Sequence, residues 1–537
     1  MSIISTTYIT WSEQAFFLKD NWIVNLLVLP IFTAFIIGLS RLKFLKHFSH
    51  RLENDKKLYL TIRYLLILMV FAVTMVWVWT TQITPFADAG MLHRISEEFL
   101  KGDYSNFKGG ELTYMDLYPF QVRTVIWYVL TDRIFGGYRL MVYQTLNCIF
   151  IAAAFLALSD ISLFMGLSRV ASLAVIPCGI IWIPVVFYSS FIYGNIPALG
   201  FALIALNLWI KYFNLGKRTH LVFSVIAMGM AYCMKSIFLI NLIAMVIYAI
   251  FKSLKDKDVR KICVSVPFMA LILVLATIVP HFYFSEKTGE PLDQGLPTLS
   301  WLELGLSETV AAPGWYVTDP VYDYITTGYD SESHKEIVRD HISARIGYFK
   351  DEPRQFTDFE IRKIASQWNE PSAQSLWFMR GSQIELSSSV NKLMSYPGYV
   401  KAVSIMDIMH LLLILGCVLY AVFFMRESSS LEKLLLPMIF VGGFLFHLAW
   451  EAKAQYAFLY WVMMLPVAVS GYIYAAKYID ARIDKGSVEK IDLRILKVIL
   501  IVMTLMVIAV LTVSGLNSGL IKDNALFADY LLKNFGQ

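Results

Sequence analysis

Four short stretches carry side chains able to do chemistry where an apolar segment ends. ITPFADAGMLHRISEEF (83–99) delivers Asp88 just after the apolar run LLILMVFAVTMVWVWTT. TYMDLYPFQ (113–121) sets Asp116 ahead of Tyr118, Pro119 and Gln121. CMKSIFL carries Lys235 between two apolar segments joined by almost no loop, and HLAWEAKAQYAF (447–458) is a tight turn bearing Glu451, Lys453, Gln455 and Tyr456. Charge at such boundaries is costly, so acids and lysines gathered there are candidates for function. Ammonium groups at a boundary can hold a phosphate whose tail stays in lipid, acting as point charges. A carboxylate beside them can take the proton of an attacking hydroxyl. The same cations stabilise the departing phosphate, so no protonated acid is required. One base and a cationic phosphate site suffice for an inverting transfer from a lipid-linked phosphate.

Each residue also has a plain structural role. Asp88 can cap the helix that follows it, and Asp116 can be a turn residue ahead of Pro119. Lys235 can snorkel to the membrane surface. Glu451 and Lys453 can pair across their turn, worth about 0–1 kcal/mol if exposed. Their joint placement on one face is what these separate roles leave unexplained.

The elements that must position them are apolar. The chain has 537 residues, 57% hydrophobic and only 16% charged, with a mean hydropathy of +0.58. A soluble domain averages roughly 45–50% apolar and about 25% charged. The excess falls in blocks near span length, near 22–40, 58–80, 138–160, 170–190, 196–213, 219–235, 236–251, 261–281, 403–424, 433–450, 457–476 and 495–515. The expected fold is therefore an all-α polytopic membrane protein of about twelve transmembrane helices. The connectors 41–57, 211–218, 252–261 and 476–494 are basic, whereas YGNIP (193–197) has no Lys or Arg. The positive-inside rule then puts both termini outside the cytoplasm. The formal charge of +5 reflects these connectors and gives no reason to expect nucleic acid. The five cysteines (Cys148, Cys178, Cys233, Cys263, Cys417) sit in apolar runs without metal or disulfide spacing. The first twenty residues lack the basic n-region and cleavage site of a signal peptide, so the first apolar run is expected to be a retained span.

Two hydrophilic segments, 81–137 and 282–402, emerge on the outer face. Met91, Leu92, Ile95, Phe99 and Leu100 make one helical face, suited to lying in the membrane interface. The second segment is aromatic-rich with an acidic excess, as in a small folded layer. Four regions result: an extra N-terminal span and basic loop (1–57), a transmembrane core with the first outer loop (58–281), the large outer loop (282–402) and the C-terminal spans (403–537). No P-loop or dinucleotide fingerprint occurs, which counts against ATP-driven and nucleotide-sugar chemistry.

The block ADAGMLHRISEEFLKGDYSNF…TYMDLYPFQVRTVIWYVLTDRIFGGYRLMVYQTLNCIFIAAAFLAL resembles the first outer loop of the GT-C glycosyltransferase superfamily. It is closest to the protein O-mannosyltransferase and lipid A aminoarabinose transferase branch, and the long loop with SQWNEP is similar to that of Gram-positive members. Those enzymes carry an acid after a span, an acid–x–Pro–Pro turn and an Arg at the next span, matched here by Asp88, by Asp116 with Tyr118 and Pro119, and by Arg139. The resemblance implies Asp88 as catalytic base, with Asp116 as the alternative. It implies Lys235, Lys453, Tyr456 and Arg139 at the donor phosphate. Tyr118, Gln121, Asn195, Glu451 and Gln455 are further pocket candidates. The sequence departs from the pattern at Asn195, where relatives often have an acid, in the half-kept turn DLYP, and in an extra first span. The sequence thus indicates no metal ligands, and the resemblance leaves a divalent metal open.

The expected partners are a polyprenyl-phosphate-linked sugar, an acceptor that is a cell-envelope glycan, lipid or protein, and the bilayer, with the site on the extracytoplasmic side of the cell membrane. The alternative is a transporter or flippase of lipid-linked sugars. That reading expects functional polar residues at mid-membrane and an inverted repeat; the sequence shows no obvious internal repeat, and the interiors of its spans are nearly free of charge. A scaffold, the third reading, needs no clustering of acids and lysines.

Overall fold

The computed structural model describes residues 3–10, 12–292, 295–380, 388–424 and 430–483, and beyond these Asp523, Leu526, Phe527, Asp529, Tyr530 and Lys533. The chain opens with an antiparallel hairpin, β1 (Ser5–Ile9) and β2 (Ala15–Lys19), in which Ser5 faces Lys19 and Ile9 faces Ala15. This small sheet is the one departure, among the described residues, from an all-helical fold. The long helix α1 (Trp22–Arg41) follows, started by the Asn21 side chain accepting from Val24 N–H. The basic helix α2 (Lys43–Asn54) leads into α3 (Lys56–Thr81), capped by Asp55 on Leu58 N–H at 2.9 Å. Such caps satisfy N–H groups that have no partner inside the helix.

The first outer loop contains α4 (Ala87–Leu100), α5 (Tyr114–Leu117) and α6 (Val122–Phe135). Leu92, Ile95 and Phe99 of α4 are buried. They pack within the protein, α4 lying on α6 with Phe99 4.7 Å from the Phe284 ring. The apolar face that the periodicity assigned to the membrane interface is thus covered by protein.

Helix α11 (Asn195–Leu215) packs between α7 (Leu140–Phe164) and α12 (Arg218–Met234). Between α7 and α11 the expected span 170–190 is three short helices, α8 (Arg169–Val175), α9 (Cys178–Ile181) and α10 (Ile183–Tyr188). Pro177 and Pro184 stand at the breaks, where the missing N–H and the ring prevent a continuous ladder. Next come α13 (Leu239–Asp256) and α14 (Arg260–Thr288). The loop layer is built of α15 (Ser300–Leu306), α16 (Asp319–Thr326), α17 (Ser331–Asp351), α18 (Pro353–Trp368), α19 (Ser375–Arg380) and α20 (Ser388–Met394). Helices α21 (Tyr396–Leu419), α22 (Glu432–Ala449) and α23 (Ala454–Ile483) return through the bundle.

Among the described residues nine helices are long and apolar enough to cross a membrane, and the broken segment from Arg169 and helix α12 are shorter apolar pieces. Leu27, Ile31 and Phe35 of α1 and Val274, Ile278 and Phe282 of α14 are exposed. Exposed apolar rows of this kind suit a lipid surrounding. The twelfth expected span, 495–515, lies outside the described residues. The two ends of the chain meet on one face: Asp523 accepts from Phe17 N–H at 2.9 Å, and the Phe527 ring lies 4.4 Å from Tyr8. The sequence expectation that both termini share a side agrees with this.

Candidate functional site

Asp88 is the second residue of α4, exposed at the head of the helix. The N-cap position is taken by Phe86, without a side-chain cap, so the carboxylate is free of the capping role. Ala87 just before it sits at φ +49°, a left-handed conformation that costs a non-glycine residue of order 1–3 kcal/mol where it persists. This kink turns the chain out of the extended stretch after α3 directly into α4.

Asp88 Oδ2 accepts from the Tyr193 hydroxyl at 3.4 Å. The same phenol receives a hydrogen bond from Gln121 Nε2 at 3.2 Å, and Gln121 Oε1 accepts from Thr124, whose position is set by Met234 C=O. Lys235 lies over the other part of this aromatic system, its Nζ 3.2 Å from the Tyr193 ring centroid. The ring thus holds an acid at its hydroxyl and an ammonium on its face, a cation–π contact favoured by the ring quadrupole. Tyr193 is placed by Gly194, whose φ of +80° starts α11 in a conformation only glycine adopts at no cost. Burial pushes the Lys235 ammonium down to about 7, and Asp88 opposes that shift. Tyr114 also hydrogen-bonds Asp88 and is driven well above the usual phenol range by burial and its neighbours.

The turn between α22 and α23 supplies the second half. Its backbone is fixed by the loop layer: Glu451 N–H donates to Trp301 C=O at 3.0 Å and Ala452 N–H to Gly314 C=O at 2.8 Å. Gly305 is required beside it, because a Cβ there would meet Ala449 C=O at 2.1 Å. The buried Lys363 ammonium donates to Gly305 C=O and to Leu448 C=O, the latter at 2.8 Å. That places a cation where α22 ends and its last carbonyls are unpaired. Glu451 is buried and accepts from the Tyr456 hydroxyl at 3.1 Å. Burial raises its carboxyl to about 7, against the pull of Lys453.

Lys453 does not bond to Glu451. It pairs with Glu13, at the tip of the N-terminal hairpin, at 3.4 Å. Glu13 also accepts from Gln374 Nε2 at 2.7 Å, and Gln374 Oε1 takes Gln455 N–H. Asp88, Glu13 and Glu451 all act electrostatically on Lys453, which places that ammonium within the same field as Lys235. Tyr118 and Tyr316 join hydroxyls at 2.8 Å, both close enough to Asp88 and Glu451 to feel their charge.

Of the sequence candidates, Asp88, Tyr118, Gln121, Lys235, Glu451, Lys453 and Tyr456 come together, and Gln455 joins them through its backbone. Asp116 does not. Its carboxylate accepts from Gly110 N–H at 3.1 Å and from Leu112 N–H, holding the 108–113 turn in the manner of a turn residue. Burial raises its carboxyl. Arg139 stands exposed at the start of α7 with no ion pair among the described residues. Asn195 is buried behind Gly194 with its Oδ1 unpartnered. Sequence reading did not find Glu13, Tyr114, Tyr193, Tyr316 or Gln374. Tyr193 lies in the YGNIP turn, and its place beside a span-linking glycine is the one signal in the sequence that points to it.

The architecture defines a helical polytopic membrane protein with a folded loop layer over one face. No known protein-family model matches the chain, and no curated protein matches it.

Proposed function

We propose that this chain is a glycosyltransferase of GT-C type that works at the extracytoplasmic surface of a cell membrane. Its donor is a monosaccharide on polyprenyl phosphate, and its acceptor is a hydroxyl of a cell-envelope glycan, lipid or protein. The observation that carries the reading is Tyr193, which presents an exposed carboxylate and an ammonium on one ring. Asp88 takes the proton of the acceptor hydroxyl, the oxygen bonds to the anomeric carbon, and the anomeric C–O bond breaks with its electron pair leaving on the phosphate. Lys235 and Lys453 hold that phosphate and stabilise the charge that develops on it. Glu13 and Glu451 set the field on Lys453, and Tyr118, Tyr316 and Tyr456 supply hydroxyl groups around them. Attack opposite the leaving phosphate inverts the anomeric centre.

Purified protein reconstituted with a panel of polyprenyl-phosphate sugars should release free polyprenyl phosphate when a suitable acceptor is present. Asp88→Asn keeps the shape and removes the proton acceptor, so release should fall by about 10²- to 10⁴-fold. Unchanged release by a normally folded Asp88→Asn protein would overturn the proposal.

A further inference from the structure

We propose that Glu303, Asp323 and His341, in the loop layer and sharing no residue with the Asp88 cluster, form a zinc site. Each offers one ligand atom, and the three atoms lie within 4.8 Å of one another. His341 Nδ1 is 2.6 Å from Glu303 Oε1 and 3.9 Å from Asp323 Oδ2. Ligands 2.0–2.1 Å from a tetrahedral zinc stand about 3.4 Å apart, so small movements of these three side chains give the required spacing. One imidazole and two carboxylates suit zinc better than calcium, which takes six to eight oxygens, and three protein ligands leave a fourth position for water.

Two further observations point the same way. The second oxygen of Glu303 is buried with no hydrogen-bond partner, although the residue is 8% exposed; an orphaned buried carboxylate oxygen is costly. His334 is fully buried, and neither ring nitrogen has a partner. It stands two turns before His341 on the same side of α17, within electrostatic reach of Asp323 and His341. Asp319 adds negative charge beside Glu303. A dication relieves this acid crowding, which a half-exposed imidazole only partly offsets, and His334 offers an imidazole on the ligand side of the helix. The site ties α15 to α16 and α17. Helix α15 in turn carries Trp301, whose carbonyl holds Glu451 N–H and whose ring packs on Phe120 at 5.3 Å.

The test uses the full-length protein in detergent, stripped with a chelator and titrated with zinc chloride, with bound metal read by elemental analysis and stability by thermal unfolding. Wild type should bind about one zinc per chain and unfold at higher temperature when loaded. Asp323→Asn, at a partly exposed position that leaves the fold intact, and His341→Ala should each weaken zinc binding by at least the roughly 10–100-fold seen for outer-shell partners. Both should lose the zinc-dependent rise in Tm. His47→Ala, on the exposed face of α2, should change neither. The proposal is overturned if wild type takes up no zinc, if Asp323→Asn and His341→Ala bind as wild type does, or if His47→Ala abolishes binding.

Discussion

At the end of the bundle away from the loop layer, Asp160 accepts from Lys211 at 2.6 Å, from Asn207 at 3.0 Å and from Arg63. Glu432 nearby accepts from Tyr248 at 2.9 Å, Asn214 at 3.1 Å and Ser430 at 2.5 Å. At the opposite end Asp88 has phenol donors and Lys235 rests on a ring, and among the described residues neither has an ion pair within 4 Å. Both ends gather charge, but one end spends it on itself. Where each carboxylate is filled by neighbouring donors, the charges hold helices together. Where acid and ammonium are kept apart by an aromatic ring, both remain available to something else. An acid–lysine pair that collapsed into a salt bridge could neither take a proton nor hold a phosphate.

Asp88→Asn should separate the two ends most sharply. Transfer should fall by about 10²- to 10⁴-fold, the usual worth of a positioned base, with the unfolding midpoint unchanged. Asp160→Asn should do the reverse. It leaves Arg63 and Lys211 without their acid at a site that is largely, but not wholly, removed from water. A loss of about 2 kcal/mol in stability with unchanged turnover per folded molecule is expected, and chemical denaturation beside a transfer assay checks both. If Asp160→Asn cut turnover as deeply as Asp88→Asn, the contrast between the ends would fail.

The pH response sharpens the contrast further. With Lys235 lowered to about 7 by burial, the ammonium that a phosphate needs is lost as pH rises through neutrality. The apparent KM for donor should climb above pH 7, by up to about tenfold per unit, and Lys235→Arg, which stays protonated, should flatten the slope. The stability effect has the opposite sign. The unfolded chain, with an ordinary lysine, holds one more proton between about pH 7 and pH 10.5, so this residue contributes more stability as pH rises through that window. The smallest effect is expected from Glu13→Gln. Removing this partner of Lys453 disturbs a half-buried pair worth about 0.2–1 kcal/mol, so a shift of at most about fivefold in donor KM, without loss of fold, should be measured.

Much of the candidate site was legible from residue type at span ends. Asp88, Lys235 and the WEAKAQY turn each follow an apolar run whose boundary can be read locally, and topology alone puts them on one face. Asp116 looked equivalent by the same rule, yet its carboxylate turns to the backbone at Gly110. Turn hydrogen bonds of that kind follow from a few dihedral angles and not from composition. Glu13 was invisible for a different reason: it reaches Lys453 across 440 residues of chain. Hydropathy across 170–190 averages over Pro177 and Pro184 and so resembles one continuous span; those two rings divide it into three pieces.

The N-terminal hairpin has a consequence for the order in which the molecule matures. It is made ahead of the spans, yet Thr7 N–H donates to Asn369 C=O, Ala15 N–H to Ala311 C=O, and Phe17 N–H to the Asp523 carboxylate. Each partner is synthesised hundreds of residues later. The hairpin must therefore wait, undocked, while the spans are inserted, and Glu13 meets Lys453 only once the loop layer has closed over them. Formation of the Glu13–Lys453 contact becomes a late step of assembly, and a bulky group fused ahead of Ser5 is expected to delay it without altering the spans.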